Sequence, residues 1–332
     1  MDKDKGLVAI TGATGFLGGQ LTRFFIENGY KVRAHAHTDA NISGIDTRVE
    51  NTLIGEITDK EMIEKLVSGA DYVVHTVSNF RVASGKPESY QSINVGGTQT
   101  VLDAAMAAGV KRFVHCSTIG VHGDVKKTPA NEMSDFAPGD LYQETKLAAE
   151  QYVLSKVGKS DTEIVVIRPC SMYGPGDLRM LKMFKMLAKG RFFFVGECKD
   201  NFHAVYIDDV VEGFASAMVT PGIDGEIFLV GGPDGYRSLR DYVGVVANSL
   251  SVDSPKITFP YWLFWYAAIL CEIICKPFGI EPVLHRRRVR FYKNNRAFDT
   301  QKSISVLGLK PRVNLEEGMR KTAAWYKDNN LL

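Results

Sequence analysis

A doubly wound α/β fold is what this 332-residue chain predicts: a parallel sheet covered on both faces, with a smaller, mostly helical C-terminal region. Two observations carry that expectation. Short β-branched apolar runs alternate with amphipathic helical stretches through the first half of the chain, the pattern of strands joined by crossover helices. The first such run, Leu7-Val8-Ala9-Ile10, leads into Thr11-Gly12-Ala13-Thr14-Gly15-Phe16-Leu17-Gly18 and then into a helical pattern that closes at Gly29. Strand, glycine turn and helix in that order form the context of a phosphate-binding loop.

Strand-like runs lie at 7–11, 31–36, 71–76, 112–117 and 163–168, and helical patterns at 17–28, 60–68, 90–108 and 141–156. Right-handed crossovers bring the C-terminal ends of such strands to one edge of the sheet, where ligands bind. In the glycine loop, Gly12 allows a tight turn, Gly15 lets backbone amides approach a pyrophosphate, and Gly18 lets helix pack closely on strand. The N–H groups at the helix start favour an anion. After Tyr173 the alternation is lost, and Pro175-Gly176, Gly231-Gly232-Pro233 and Pro311 punctuate the chain. The expected organisation is therefore a dinucleotide-binding domain over 1–170 with a return segment near 203–232. A substrate-binding region takes up 171–202 and 233–332.

Composition excludes several classes. A formal charge of +2 leaves no electrostatic footprint for nucleic acid. Five scattered cysteines fit reduced thiols of a cytoplasmic protein better than a disulfide framework. Cys271 and Cys275 share a helical face, yet no nearby histidine or third cysteine completes a metal set, so no metal is expected. The charged N-terminus, Met1 to Lys5, lacks the apolar core of a secretion signal. One stretch departs from the pattern of a water-soluble domain: residues 259–275 are almost wholly apolar and are followed by His285-Arg286-Arg287-Arg288-Val289-Arg290. A bilayer-spanning helix needs about 20 apolar residues. This shorter run is expected to be buried or to line an apolar pocket, in preference to inserting shallowly into a membrane surface. The basic run is either an ordinary solvated face or a contact for lipid headgroups.

Tyr142 and Lys146 stand four apart in a helical pattern, which puts them on one face. A free phenol, with a pKa near 10, is a poor proton shuttle at neutral pH. An ammonium about 4 Å away favours the phenolate by up to about 4 kcal/mol at an effective dielectric near 20, enough to make it a usable acid/base. One crossover earlier, Ser117 and Thr118 end a strand. Either hydroxyl can donate a hydrogen bond to a substrate oxygen.

The chain resembles the extended short-chain dehydrogenases/reductases, the NAD-dependent epimerase/dehydratase family with a Rossmann-type fold. Besides the glycine loop, the likeness rests on Gly55-Glu56-Ile57-Thr58-Asp59, Asn94-Val95-Gly96-Gly97-Thr98 and the stretch from Phe113 to Gly123. It continues through Tyr142 to Lys146, Arg168-Pro169, Tyr173-Gly174-Pro175-Gly176 and residues 205–210, and closes with Asp299-Thr300-Gln301-Lys302. It implies Tyr142 as acid/base, with Lys146 as the partner that lowers its pKa and also binds the nicotinamide ribose. Thr118 with Ser117 is implied at the substrate hydroxyl, and Asn94 on the supporting helix. The same resemblance implies a cofactor cleft of Gly12, Thr14, Gly15, Phe16, Leu17, Gly18, His37, Thr76 and Val77. Glu56 and Ile57 then fall near adenine, and Pro169, Cys170 and Met172 near the nicotinamide. It also implies a homodimer paired through the helices at 90–108 and 141–156.

Departures from the family pattern narrow the function. The strand 31–36 ends in Ala36 and His37 instead of a ribose-binding Asp, which leans toward NADP without excluding NAD. Ser171 stands where nucleotide-sugar enzymes usually carry Asn, and Arg296-Ala297-Phe298-Asp299 replaces their usual element before the final Asp-x-x-Lys. Ile119-Gly120 follow Thr118 where sugar dehydratases carry an acid pair. The segment 259–275 looks like the lipophilic region of 3β-hydroxysteroid and sterol dehydrogenases. The expected activity is therefore NAD(P)-dependent interconversion of a hydrophobic secondary alcohol and its ketone. Nucleotide-sugar epimerisation with tightly bound NAD is the alternative, and cofactor-dependent scaffolding a third reading. The expected partner is a hydrophobic small molecule, and the expected location cytoplasmic or membrane-peripheral.

Overall fold

The computed structural model describes residues 5–80, 87–278, 280 and 282–332; the charged start of the chain, Met1–Asp4, lies outside them. In chain order the strands are β1 (Leu7–Thr11), β2 (Lys31–Ala36), β3 (Asn51–Ile54), β4 (Tyr72–His75), β5 (Arg112–Cys116) and β6 (Glu163–Pro169). Then come β7 (Ser171–Tyr173), β8 (Phe194–Val195), β9 (Asn201–Tyr206), β10 (Ile227–Val230), β11 (Tyr236–Ser238) and β12 (Thr258–Phe259). The helices are α1 (Phe16–Glu27), α2 (Lys60–Val67), α3 (Pro87–Tyr90), α4 (Thr98–Ala107), α5 (Leu141–Ser155) and α6 (Leu181–Ala188). They continue with α7 (Ile207–Val219), α8 (Leu239–Ser249), α9 (Tyr261–Cys275), α10 (Arg286–Arg290), α11 (Gln301–Leu307) and α12 (Leu315–Asp328).

Seven strands pair in the order β10-β6-β5-β4-β1-β2-β3, every neighbour parallel. This is the Rossmann-type order extended by one strand, and the chain reverses its direction of build between β1 and β4. There Thr11 pairs with His75 on one side and His35 on the other. The period-two geometry of β1 explains the double covering. Val8 and Ile10 join one core with Leu21, Phe25, Val210 and Phe214 of α1 and α7. Leu7 and Ala9 join the opposite core with Ile63, Leu66, Val101 and Leu102 of α2 and α4. Strands apolar on both faces are the signature of a sheet buried on both sides.

The five expected strands and four expected helices are present within a residue or two at most ends. The expected continuous helix over 90–108 is instead a short α3, a π-helical segment at Gln91–Gly97 and then α4. Gly97 accounts for part of that: a Cβ there would lie 2.6 Å from the Ile57 side chain, so the helix passes close against the loop after β3. Beyond β6 the chain returns through α7 and β10, which extends the main sheet. The remainder forms a three-stranded β11-β9-β7 sheet, a two-stranded β12-β8 pair and the helices around them.

Candidate active site

The glycine loop lies at the reversal point of the sheet. Gly12 has φ +75, a conformation that favours glycine. A Cβ on Gly12 would lie 3.0 Å from Thr76 Oγ1 and 3.2 Å from Val77, and one on Gly18 would lie 2.1 Å from the Gly12 carbonyl oxygen. Glycine is therefore favoured at position 12 by its positive φ and required at position 18 by close approach to backbone. Gly15 N–H donates to Gly12 O at 2.9 Å, tightening the turn. Gly15 then caps α1 with no side chain, so the first-turn N–H groups of Phe16, Leu17 and Gly18 have no side-chain acceptor among the described residues. A side-chain-free cradle at a helix start fits the pyrophosphate of a dinucleotide.

Hydrogen bonds tie this loop to the rest of the site. Thr76 N–H donates to Thr11 Oγ1 at 3.1 Å, and Thr11 Oγ1 lies 2.8 Å from His75 Nδ1. His75 Nε2 lies 3.0 Å from Thr98 Oγ1, whose hydroxyl donates to Asn94 O at 2.7 Å. Burial holds the His75 pKa well below its ordinary value, with the Lys146 charge acting in the same direction. The ring is a neutral connector. Asn94 sits in the π-helical segment, a feature often found at functional sites. Its Oδ1 accepts from Asn79 N at 2.7 Å and its Nδ2 donates to Thr145 Oγ1 at 3.0 Å. Thr145 lies between Tyr142 and Lys146 on α5, so Asn94 links the strand-end loop to that helix.

Tyr142 and Lys146 both lie on the buried face of α5, one turn apart. Asp140 caps the helix by accepting from Gln143 N at 3.0 Å. Lys146 Nζ donates to Cys116 O at the end of β5, at 2.5 Å. Burial lowers the Lys146 pKa, partly offset by Cys116 and Glu150. The neighbouring Cys116 thiol is pushed up to about 11 by burial, so it is no nucleophile at neutral pH. Just past β5, Ser117 Oγ is buried with no hydrogen-bond partner among the described residues. Thr118 Oγ1 accepts from Gly120 N at 3.0 Å, leaving its own hydrogen free to be donated. An unpartnered buried hydroxyl beside a Tyr/Lys pair is where a bound ligand would be expected to supply the missing bond.

At the far end of the cleft the structure changes the sequence picture. His37 follows β2, as expected, but Glu56 reaches it from beyond β3, with Oε1 3.0 Å from His37 Nε2 and 3.1 Å from Thr38 Oγ1. A carboxylate thus lies beside the end of β2, on the neighbouring strand end. Ile57 is buried against the π-helical segment. Of the residues expected at the nicotinamide, Pro169 ends β6, Cys170 N–H donates to Val230 O at 2.8 Å, and Met172 lies on β7.

Several residues here escaped the sequence reading. Phe80 packs edge-to-face on Tyr142, with ring centroids 5.0 Å apart. The Arg179 guanidinium lies 5.2 Å from the Phe16 ring centroid and 5.6 Å from that of Phe80, bridging the glycine loop and the Tyr142 side of the cleft. Buried Asp177 fixes it by an ion pair at 2.7 Å. Arg168, fully buried, donates through Nε to Glu150 of α5 at 3.0 Å and through Nη1 to Glu132 O at 2.9 Å, and lies 3.0 Å from His122 Nε2. No local sequence pattern marks Phe80 or Arg179. Arg168 was visible only as part of the family likeness.

Sheet order and glycine cradle define a dinucleotide-binding enzyme of the Rossmann type. Residues 8–231 match the NAD dependent epimerase/dehydratase family, and the chain belongs to that family, within the extended short-chain dehydrogenases/reductases. It is 29% identical over 287 residues to 3beta-hydroxysteroid-dehydrogenase/decarboxylase isoform 1 of Arabidopsis thaliana, covering 80% of this chain but only 64% of that longer protein. It is also 29% identical to the decarboxylating sterol-4-alpha-carboxylate 3-dehydrogenase of Saccharomyces cerevisiae, covering 97% of this chain and 98% of that one. Among solved structures, UDP-glucose 4-epimerase of Thermotoga maritima superposes with a TM-score of 0.79 at 22% identity, covering 98% and 99% of the two chains. That likeness is one of fold.

Proposed function

We propose that the protein is an NAD-dependent dehydrogenase that interconverts a hydrophobic, sterol- or steroid-like secondary alcohol and its ketone. The observation that carries this reading is that Tyr142 and Lys146 share the buried face of α5 and Lys146 bonds Cys116 O, next to Ser117, whose buried hydroxyl has no partner among the described residues. The sterol-related names of the two sequence relatives support the substrate class. The cofactor residues are those around Gly12–Gly18, with Thr76, Val77, His37, Glu56, Ile57, Asn94, Pro169, Cys170 and Met172 completing the cleft. Bound there, the nicotinamide supplies the hydride acceptor in oxidation and the donor in reduction.

Tyr142 takes the hydroxyl proton of the alcohol in oxidation and returns it in reduction. Lys146, anchored on Cys116 O, holds positive charge one turn away and favours the phenolate. Thr118 donates to the substrate oxygen and Ser117 lies beside it. Phe80, against the Tyr142 ring, gives the reacting edge an apolar wall. At the adenosine end, the Glu56 carboxylate accepts readily from a ribose hydroxyl and repels a 2′-phosphate, which supports NAD over the NADP suggested by the end of β2.

The homodimer is likewise a proposal, through α4 and the outward side of α5, where Leu147 and Ala148 are half-buried. Sedimentation at micromolar concentration tests it. The reaction is tested by mixing the protein with NAD and a panel of 3-hydroxysteroids, 4-carboxysterols and UDP-sugars and following absorbance at the reduced-nicotinamide band. Net reduction of NAD with a steroid or sterol alcohol is expected. Turnover of a UDP-sugar without net reduction would replace this reading with the epimerase.

A further inference from the structure

Helix α9 is 15 residues long, YWLFWYAAILCEIIC, and only Ala268 of them is buried. One side packs on its own domain, in a cluster built on Val195, Ala268 and Val289 with Phe193, Phe264 and Trp265 around them. The opposite side is just as apolar and faces outward: Trp262, Leu263, Tyr266, Leu270, Ile273 and Ile274 are all exposed, Tyr266 by 64%. Their spacing places them on one continuous stripe of a 3.6-residue helix. Beyond the helix Phe278, Ile280 and Val283 are exposed as well, the last by 82%. A helix apolar all round belongs in a nonpolar environment. The sequence reading favoured a buried or pocket-lining helix. The domain covers only half of it.

The surroundings indicate what covers the rest. Arg290 lies 5.7 Å from the Trp265 ring centroid and Lys293 5.5 Å from that of Tyr261, so both cations sit directly beside α9. Arg286 is paired with Glu272 and Arg287 with Asp140, whereas no carboxylate pairs with Arg288, Arg290 or Lys293 among the described residues. An apolar stripe on a helix whose packed edge carries uncompensated cations matches the acyl boundary and anionic headgroups of a membrane surface. A second copy on the same stripe would add a second set of cations to that edge. The helix is about 22 Å long at 1.5 Å per residue, short of the roughly 30 Å hydrocarbon core. No helix among the described residues is long and apolar enough to cross a membrane.

We propose that the outward face of α9, with Phe278, Ile280 and Val283, docks the enzyme onto an anionic lipid bilayer, lying in the interface without spanning it. The basic helix α10, which packs on α9, is joined directly to the candidate catalytic helix. Arg287 Nε meets Asp140 Oδ2 at 2.9 Å, and Asp140 caps α5 two residues before Tyr142 and six before Lys146. Resting on the sterol-like reading above, this brings the mouth of the site to the phase in which such substrates dissolve. Docking itself requires neither cofactor nor substrate.

The test is co-sedimentation of the full chain, without cofactor or substrate, with sucrose-loaded vesicles of phosphatidylcholine alone or containing phosphatidylglycerol. The wild type is expected to pellet with the anionic vesicles and to partition at least about tenfold less onto neutral ones, or at about 0.5 M salt, where exposed charges are screened. Leu270→Glu with Ile273→Glu lowers partitioning by at least about tenfold, since each change replaces an inserted apolar side chain with a charge. The thermal midpoint and NAD affinity of this variant stay unchanged, which separates lost docking from lost folding. Arg288→Gln with Lys293→Gln weakens binding to anionic vesicles alone. A wild type that stays in the supernatant with both vesicle types overturns the proposal, as does undiminished pelleting of the glutamate variant. Self-association that the glutamate variant abolishes, without vesicle binding, assigns the stripe to a second copy and overturns it as well.

Discussion

At the scale of single residues, chemistry depends on which polar atoms are left for a ligand. Gly12 and Gly18 were legible in the sequence because a tight turn favours glycine at the first and close packing of helix on strand requires it at the second. Tyr142 and Lys146 were legible because helical spacing puts them on one face. Glu56 was legible only as a position near adenine. Its meeting with His37 joins the ends of two strands that pairing alone brings together, so no sequence pattern could show it. The meeting has a consequence for cofactor choice. Glu56→Gln removes the charge that opposes a 2′-phosphate and leaves His37 and Thr38 in place. Its ratio of kcat/KM for NADP over NAD should rise by about tenfold, the effect of about 1.4 kcal/mol of relieved repulsion. Steady-state kinetics with both cofactors measure it; an unchanged ratio would mean that the carboxylate takes no part in discrimination.

At the scale of elements, α5 matters most, because it carries the candidate acid/base and must be held in register with β5 and β6. Its hold on β6 is the fully buried Arg168–Glu150 pair, whose two side chains are both inaccessible. Removing one partner of such a pair leaves an uncompensated buried charge and costs about 3–5 kcal/mol. Glu150→Gln should lower unfolding stability by that amount in urea melts. Arg168→Met combined with Glu150→Leu should recover part of it, because no charge is then stranded. A loss below about 1 kcal/mol for Glu150→Gln would contradict this anchoring role. The helix itself was plain from its apolar spacing. Its anchor was not, since the residues concerned are far apart in sequence and belong to different elements. The segment 259–275 shows the opposite case. Its apolar character was obvious, but which side the domain covers is decided by α10 and β8, and the linear pattern does not carry that information.

At the scale of the whole molecule, the central sheet was largely readable because parallel strands buried on both faces leave apolar runs of the right length. The capping region was not, since its strands are two to six residues long and pair across large sequence separations. Burying the sheet also buries histidines. His75, His115 and His203 are at most 1% exposed, and burial lowers the pKa of each, that of His203 to about 4. In the unfolded chain their pKa returns to near 6.5. Above that pH neither state is protonated at these positions and they add no pH dependence. Below it the unfolded chain takes up protons that the folded chain refuses, so stability falls with pH, for His203 until about pH 4. Each group contributes up to about 1.4 kcal/mol per pH unit in that window. Urea midpoints should fall between pH 6.5 and 5.5 and change less between 7.5 and 6.5, with a shallower acid slope in His115→Leu. An acid slope identical in that variant would remove His115 from the account.

The most direct test of the central claim concerns Tyr142. Tyr142→Phe retains the aromatic ring and removes only the oxygen that is proposed to move the proton. Calorimetric titration of wild type and variant with NAD, alongside single-turnover hydride transfer with the alcohol that the substrate panel identifies, separates binding from chemistry. The account predicts NAD affinity within about twofold of wild type and a hydride-transfer rate lower by about 10²–10⁴-fold, the usual worth of a positioned acid/base. A variant that binds NAD normally and transfers hydride at the wild-type rate would contradict it.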